Sequence, residues 1–174
     1  LTADIDLSNR DWTPIGSSSQ KYAGTFDGQG HYITGLYINS TANYQGLFGY
    51  VNNGTIRNLG VSGKVKGGQY TAGIVAYLDG TGEVESCVNS VNVTGGKNTG
   101  GIAGFQNTSV PIENCYNTGS VDGANSQLVG GISGGGKTFT VKDTITNCYN
   151  IGTVYGAGKI KADEARTVQA LDHD

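Results

Sequence analysis

Four stretches of this sequence repeat one pattern, and that repeat decides the fold. They read GLFGYVNNGTIRNLGVSGKV (46–65), GIVAYLDGTGEVESCVNSVNV (73–93), GIAGFQNTSVPIENCYNTGSV (101–121) and GISGGGKTFTVKDTITNCYNIGTV (131–154). Three columns of residues keep the same steps of 28, 28 and 33 positions through all four stretches: Ile56, Val84, Ile112, Ile145; Leu59, Cys87, Cys115, Cys148; and Val65, Val93, Val121, Val154. Chance would not keep three columns in register through two different spacings, so the chain is built of structural repeats.

The repeats predict an all-β fold, a right-handed parallel β-helix (β-solenoid) of about five to six coils, because a single unit cannot bury its apolar side alone. Each unit holds two or three short strands between Gly- and Asn-rich turns. A four-stranded propeller blade needs roughly 40–45 residues, which is more than these units contain. The earlier stretch HYITGLYI (31–38) fits the same frame if Ile33, Leu36 and Ile38 align in that order with Ile56, Leu59 and Val61.

We assign residues 1–158 to the parallel β-helix repeat domain and residues 159–174 to a C-terminal cap or linker. The tail, ADEARTVQALDHD (162–174), differs in composition from the repeats and either caps the last coil as a short helix or leads into another domain. The chain contains no methionine. We therefore interpret it as a segment of a longer protein and expect further domains of the same polypeptide.

Stacking in a parallel solenoid places equivalent residues of successive coils above one another, so each column must suit one environment. We interpret Cys87, Cys115 and Cys148 as a buried and reduced column of the core, where cysteine acts as a small hydrophobic residue. Two neighbouring columns begin at Leu47 and Phe48. The first is the more uniform and is predicted to face inward: Leu47, Ile74, Ile102 and Ile132.

Asparagines flank the cysteine column on both sides, and we interpret both sets as structural. One set precedes the column by one residue: Asn58, Asn114 and Asn147, with Ser86 in the second repeat. Asparagine tolerates the left-handed backbone that a tight corner requires. The other set follows the column by two residues: Asn89, Asn117 and Asn150. Their amides are expected to stack and to hydrogen-bond along the solenoid axis.

The composition argues against several classes of partner. The formal net charge is −3 and only 14% of residues are charged, so we expect no nucleic-acid partner and no attraction to an anionic membrane. The apolar stretches are too short to cross a bilayer, so no membrane insertion is expected. The three cysteines are an odd number, which argues against a complete disulfide framework.

His31 is one of two histidines and lies in DGQGHYI (27–33). It could act as a general base beside Asp27, but Asp-Gly and Gln-Gly pairs are turn formers, and we favour a structural role in a turn. Two histidines without a CxxC motif cannot supply a zinc site. No metal and no cofactor are therefore expected.

Paired carboxylates are the other route to catalysis. Glu83 and Glu85 flank Val84 and are predicted to lie on the outward face of one strand, with Glu113 one coil beyond Glu85. Glycoside hydrolysis needs two carboxylates about 5–10 Å apart, but like charges on an exposed strand are more often solvated, and we predict that the chain is not an enzyme. The segment GGGKT (134–138) lacks the spacing of a phosphate-binding loop and is interpreted as a turn.

Tyr116 and Tyr149 occupy one column between the cysteine and asparagine columns, so both should point outward. Stacked, exposed aromatic rings form a flat face for contact with a sugar or a protein. The alternative is that the rings only cover the edge of the solenoid. These two tyrosines are the candidate binding residues of the sequence, and no catalytic residue is assigned.

The segment GLFG (46–49) resembles the motif of the GLUG-repeat family, and WTPIG (12–16) followed by GTFDGQGHYITGLYI (24–38) is similar to the stretch that precedes such repeats. That family includes bacterial cell-surface and adhesin-like proteins and the non-catalytic region of immunoglobulin A-specific metallopeptidases. The resemblance implies a β-helix in a bacterial protein that is secreted or held at the cell surface. The later units depart from the motif and read GIVA, GIAG and GISG.

The sequence thus predicts a non-catalytic structural or adhesive repeat module of a bacterial secreted or cell-surface protein, with a host protein or glycan as its partner. The alternative is a carbohydrate-active β-helix (a polysaccharide lyase or a glycoside hydrolase) or a glycan-binding module. A deep groove lined by carboxylates and aromatic rings would favour the alternative, whereas smooth faces covered by Thr, Asn and Lys would favour the first prediction.

Overall fold

The computed structural model describes residues 1–107, 110–124, 126, 128–136 and 145–156. Over these ranges every regular element is a β-strand, and none of the described residues lies in a helix. The segment 159–174, for which a cap or a linker is expected, lies outside the described residues, as do Lys137 and Thr138 of the GGGKT stretch.

Each turn of the chain contributes several short strands, because Gly- and Asn-rich corners interrupt the apolar runs. In chain order the strands are β1 (Ile5–Asp6), β2 (Thr25–Asp27), β3 (Tyr32–Asn39), β4 (Phe48–Asn52), β5 (Thr55–Arg57), β6 (Gly60–Lys66), β7 (Thr71–Ala72), β8 (Val75–Asp79), β9 (Glu83–Glu85), β10 (Val88–Thr94), β11 (Thr99–Gly100), β12 (Ala103–Gln106), β13 (Ile112–Glu113), β14 (Tyr116–Asn117), β15 (Val121–Asp122), β16 (Val129–Gly130), β17 (Ile145–Thr146), β18 (Tyr149–Asn150) and β19 (Val154–Tyr155).

These strands stack into four parallel sheets that form a β-solenoid, which confirms the predicted fold class. The predicted number of coils was wrong, because the solenoid has about four turns instead of five to six. The first face holds β4, β8 and β12, and the second holds β2, β5, β9, β13 and β17. The third and largest face stacks β1, β3, β6, β10, β14 and β18, together with β15 and β19. A short corner sheet of β7, β11 and β16 leads back to the first face. The third face stacks more strands along the axis than the solenoid has full turns, because the first and last turns contribute only the short strands β1 and β18.

Residues of two predicted columns pair in register between neighbouring strands. Ile56 pairs with Val84, Val84 with Ile112 and Ile112 with Ile145. The valine column continues in the same way from Val65 on the third face: Val93, Val121 and Val154. The middle members of both columns are fully buried, whereas Ile145 in the last turn is 39% exposed.

The alignment of HYITGLYI with the stretch that begins at Ile56 was wrong. Ile33 pairs with Val61 and not with Ile56, and Ile38 pairs with Val65 and not with Val61. The register shifts between Ile33 and Leu36, because a β-bulge there lengthens β3 relative to β6. Gly35 within this bulge has φ +67°, a conformation that glycine adopts without strain. The stretch therefore belongs to the third face and not to the second.

The predicted inward column is confirmed, because all four of its residues are buried: Leu47, Ile74, Ile102 and Ile132. The choice of Leu47 over Phe48 was too narrow, however, since Phe48 is completely buried as well. Leu47 lies in the bend just before β4, and side chains alternate between faces only within a strand. Two consecutive residues at a corner can therefore both enter the core. Phe48 packs there against the rings of Tyr22 and Phe26, with centroid distances of 5.2 and 5.3 Å.

Candidate functional site

Tyr116 and Tyr149 lie in register on β14 and β18, on the outside of the third face. Their ring planes are within 2° of parallel and their centroids are 4.9 Å apart. Tyr149 is 47% exposed, and Tyr116 is half-buried beneath it in the stack. The alternation of β-strands turns the preceding cysteine and the following asparagine inward and the tyrosine outward. The predicted pair therefore forms an exposed aromatic surface, which we call the tyrosine face.

The cysteine column lies directly inside the tyrosine face. Cys87, Cys115 and Cys148 are free thiols and are buried. The backbone N–H of Cys87 donates to Sγ of Cys115 at 3.4 Å, and that of Cys115 donates to Sγ of Cys148 at the same distance. The hydrogen-bonded Cys115 side chain and burial raise the pKa of the Cys148 thiol well above its ordinary value. The geometry is that of a packed core column, as the sequence predicted.

The second asparagine set forms a hydrogen-bonded ladder inside the third face. Asn89 Nδ2 donates to Asn117 Oδ1, and Asn117 Nδ2 donates to Asn150 Oδ1, each at 2.7 Å. Asn89 and Asn117 are fully buried. Each amide also donates to a carbonyl two residues further along its own chain: Val91, Gly119 and Gly152. These bonds satisfy the buried amide nitrogens, so the polar ladder is compatible with the core.

The first glycine of the later repeat motifs makes room for this ladder. A methyl group at Gly73 would lie 1.9 Å from Asn89 Oδ1, and one at Gly131 would lie 2.2 Å from Asn150 Cγ. Neither distance is compatible with a real side chain. The motif glycine and the asparagine that follows the cysteine by two residues therefore face each other across the solenoid.

The other asparagine set forms the corner between the second and third faces. All four positions have a left-handed backbone, with φ between +50° and +53°: Asn58, Ser86, Asn114 and Asn147. The side chain of Asn147 also donates to Asn114 Oδ1 at 3.3 Å. The corner therefore repeats from turn to turn, as the sequence predicted.

His31 lies in a turn, and its backbone N–H donates to the carbonyl of Gly28 at 2.9 Å. Its Nδ1 is 3.1 Å from Asp4 Oδ1, so its partner is Asp4 and not Asp27. The hydrogen bond from the Tyr32 backbone and the one with His31 lower the pKa of Asp4. Asp27 instead accepts a hydrogen bond from Arg57 Nε at 3.0 Å. The two residues considered as a catalytic pair are thus held by different partners.

The carboxylates considered for catalysis lie on the outside of the second face. Glu85 pairs in register with Arg57 in the turn before it and with Glu113 in the turn after it. Glu83 and Glu85 are partly exposed, and Val84 between them is completely buried. Among the residues described by the structure, no group of three His, Cys, Asp or Glu side chains could hold a metal ion.

A cluster of five aromatic rings outside the first face was missed by sequence reasoning. Tyr50, Tyr77 and Phe105 stack in register on β4, β8 and β12, with successive centroids 4.5 and 5.1 Å apart. Tyr44 and Tyr70, from the corner before each strand, stack on each other at 5.1 Å. Tyr70 then meets Tyr77 edge to face at 4.9 Å.

Ring packing in this cluster holds the corner residues Tyr44 and Tyr70 against the first face. Tyr50 is only 8% exposed, and its hydroxyl donates to Asp79 Oδ2 at 3.1 Å. Burial and this hydrogen bond raise the pKa of Tyr50. Lys21 Nζ lies 5.0 Å from the Tyr50 ring centroid, within the range of a cation–π contact.

Part of this cluster could have been found in the sequence. The fifth residue of GLFGY, GIVAY and GIAGF is aromatic in each case. Tyr44 and Tyr70 are harder to align, because they stand at different distances before the motif glycines Gly46 and Gly73. The structure shows that both have a left-handed backbone, with φ of +60° and +59°.

The class of protein defined by this geometry is a parallel β-solenoid with stacked cysteine, asparagine and aromatic columns. Comparison with known proteins adds one relative: a protein of Evansella cellulosilytica, named as a Gly-rich membrane protein, is 45% identical over 65 residues. The match covers 36% of this chain and 8% of that protein, so the chain spans a small part of its relative. No helix in the described part of this chain could span a membrane.

No protein-family model matches the chain. No solved structure matches it significantly either.

Proposed function

We propose that this chain is a non-catalytic structural and adhesive repeat module of a bacterial secreted or cell-surface protein. The tyrosine face, formed by Tyr116 and Tyr149, is its contact surface. The observation that carries the proposal is the parallel stack of these two rings on the outside of a packed solenoid. A flat aromatic surface suits a sugar ring or an apolar protein surface.

The rigidity of the tyrosine face supports this role. Both neighbours of Tyr116 in the chain are buried in hydrogen-bonded columns, Cys115 through its N–H and Asn117 through its amide. A ring held in this way loses little conformational freedom when a partner binds, and such preorganisation favours affinity. In the column two residues further along the strand, the hydroxyls of Ser90 and Thr118 are 2.7 Å apart and offer polar contacts close by.

The resemblance of GLFG (46–49) to the GLUG repeats supports the bacterial and extracellular part of the proposal. By that resemblance, the chain is a scaffold segment of an adhesin-like protein or of the non-catalytic region of an immunoglobulin A peptidase-like protein. Further domains of the same polypeptide carry any catalytic activity. The partner is a host protein or a glycan.

The test uses the purified chain on an oligosaccharide array and on immobilised immunoglobulin A. We expect retention on at least one probe and no cleavage of any probe. The double variant Tyr116→Ala/Tyr149→Ala should weaken binding by about tenfold, equivalent to ~1.4 kcal/mol. Tyr37→Ala is the matched control, because Tyr37 lies on the same face but pairs with Lys64 instead of another ring.

Binding that is equally strong in the double variant would contradict the proposed contact surface. The absence of binding to every probe would contradict the adhesive role. Degradation of an oligosaccharide by the purified chain, abolished by Glu83→Gln or Glu85→Gln, would favour the carbohydrate-active alternative.

A further inference from the structure

We propose that the groove beside Tyr32 is a binding site for an uncharged saccharide. This inference deepens the proposed function and rests on it, because it names the chemical class of the ligand and a second contact region on the same face. The groove lies at the corner between the second and third faces, where Asn58 and Ser86 turn the chain.

The groove is a concave surface with a volume of about 330 Å³. Its apolar side is formed by Tyr32, Gly60 and Val88, which are neighbours in register on β3, β6 and β10. Its polar side is formed by Gln29, Asn58 and Ser86. The volume falls at the lower end of the range typical of ligand sites, roughly 300–1,000 Å³.

The ring of Tyr32 covers the backbone of Gly60. A methyl group built at Gly60 would lie 2.2 Å from Cδ1 and 2.3 Å from Cε1 of that ring. The ring therefore lies over the sheet instead of standing away from it, and the residue is 45% exposed. An aromatic ring that lies against a surface with its outer side open is the kind of platform on which the apolar face of a sugar ring can stack.

The polar side offers hydrogen-bonding groups without charge. Asn58 Nδ2 is held by Asp27 Oδ1 at 3.1 Å, which orients the amide. In the described part of the chain, the Ser86 hydroxyl and the Gln29 amide have no intramolecular hydrogen-bond partner. None of the residues that line the groove is Asp, Glu, Lys, Arg or His. This combination fits a ligand rich in hydroxyls and without formal charge.

The groove and the tyrosine face lie along one line. Tyr32 pairs with Gly60, Gly60 with Val88, Val88 with Tyr116 and Tyr116 with Tyr149. With neighbouring strands about 4.8 Å apart, these four steps span roughly 19 Å along the axis. An extended oligosaccharide running parallel to the axis would therefore contact Tyr32 at one end and Tyr149 at the other.

The experiment measures binding of the full chain to cellohexaose, chitohexaose and mannohexaose by titration calorimetry, with an acidic alginate hexamer for comparison. At least one neutral oligosaccharide should bind, and more tightly than the acidic one. Tyr32→Ala should weaken this binding by about tenfold. Gly60→Ala should have a similar effect, because its methyl group pushes the Tyr32 ring aside while every polar group of the groove stays in place.

The double variant Tyr32→Ala/Gly60→Ala distinguishes a displaced ring from a disrupted fold. If Gly60→Ala acts only through the ring, the double variant binds no more weakly than Tyr32→Ala alone. Tyr37→Ala, on the same strand but outside the groove, should bind like the unchanged chain. Circular dichroism melts establish that each variant is folded, and Tyr32→Leu replaces Gly60→Ala if the latter does not fold.

Three results would overturn the inference: no binding of any neutral oligosaccharide, tighter binding of the acidic one, or binding that Tyr32→Ala leaves unchanged. If binding is lost in Tyr116→Ala/Tyr149→Ala but kept in Tyr32→Ala, the proposed adhesive function stands and the groove is rejected. If the chain binds immunoglobulin A through the tyrosine face but no saccharide, the function again stands and the ligand class is wrong.

Discussion

Asn89 and Asn117, which occupy the same position in successive turns, are joined by a hydrogen bond of 2.7 Å between Nδ2 of the first and Oδ1 of the second. Both side chains are completely buried. Within a solenoid core, such a ladder fixes the vertical register of successive turns, because slipping by one residue would leave buried amides without partners.

The first prediction concerns the middle of this ladder. Asn117→Ala removes bonds to Asn89, Asn150 and the carbonyl of Gly119, and it leaves buried polar groups without partners. We expect a loss of about 3 kcal/mol in the free energy of unfolding, measured by urea denaturation. Asn150→Ala, at the half-buried end of the ladder, is the control and should cost clearly less. Equal costs at the two positions would show that the ladder is not a buried network.

The second prediction couples the motif glycine to the ladder. The nearest atoms to a methyl group at Gly73 all belong to the Asn89 side chain. Gly73→Ala should therefore destabilise the protein strongly, and adding Asn89→Ala should recover part of the loss, with a coupling energy of roughly 1–3 kcal/mol. The measurement is a double-mutant cycle of unfolding free energies.

Gly101→Ala is the matched control for this cycle. A methyl group at Gly101 would lie 2.2 Å from the backbone oxygen of Gly131 as well as 2.5 Å from Asn117 Cγ. Removing the Asn117 side chain leaves the backbone clash in place, so Asn117→Ala should rescue Gly101→Ala less. Strictly additive changes in unfolding free energy for Gly73→Ala and Asn89→Ala would contradict the close contact between these two residues.

The third prediction compares a buried column with a surface pair. Cys115→Asp places a carboxylate without a cationic partner in the core and should cost about 4 kcal/mol or more. His31→Ala removes only the contact with Asp4, whose side chain is 67% exposed, and should shift the melting temperature much less. Cys115→Val is the control for shape. A thermal melt in which Cys115→Asp equals the unchanged chain would place this side chain outside the core.

The fourth prediction is a loss of stability in alkali. The pKa of the Cys148 thiol is raised in the folded chain, so the folded state keeps a proton that the unfolded state releases above about pH 8.5. The contribution of this thiol to the free energy of unfolding is therefore fully present below the pKa of the unfolded thiol. It declines as the pH rises toward the folded pKa, by at most ~1.4 kcal/mol per pH unit for each such thiol.

Urea unfolding at pH 7 to 10 in reducing buffer measures this decline, with Cys148→Val as the control. That variant should lose less stability between pH 8.5 and 10 than the unchanged chain, the range in which thiols and not most tyrosines titrate. A maleimide should label none of the three cysteines rapidly at pH 7 unless the protein is unfolded. Rapid labelling of all three in the folded chain would contradict their burial.

The fold was predictable because stacking translates directly into sequence. Equivalent residues of successive turns share one environment, so Ile56, Val84 and Ile112 recur at a fixed interval and reveal the parallel register. The same reasoning identified the cysteine column, the asparagine ladder and the outward stack of Tyr116 on Tyr149. A column is a repeated local signal, and a single sequence is enough to show it.

The first turns were harder to align, because their lengths differ from those of the later ones. The β-bulge between Ile33 and Leu36 gives HYITGLYI the same apolar spacing as Ile56, Leu59 and Val61, although the stretch pairs with β6 on the third face. Likewise, Gln45 pairs with Thr71 and Phe48 pairs with Val75. In each pair the two residues are separated by fewer positions than equivalent residues of the later repeats. This shorter spacing concealed the column formed by Tyr44 and Tyr70. Irregular corners carry no periodic signal, so the backbone geometry decides these positions.

The sequence by itself determined which residues share a column, since that depends only on the spacing of repeats along the chain. The tertiary structure alone decided which columns meet across a turn: Gly73 against Asn89, His31 beside Asp4, and the Tyr32 ring over Gly60. These contacts depend on how sharply each corner bends and on the rotamer of each side chain. Neither quantity is periodic, and each is fixed only when the turns pack together.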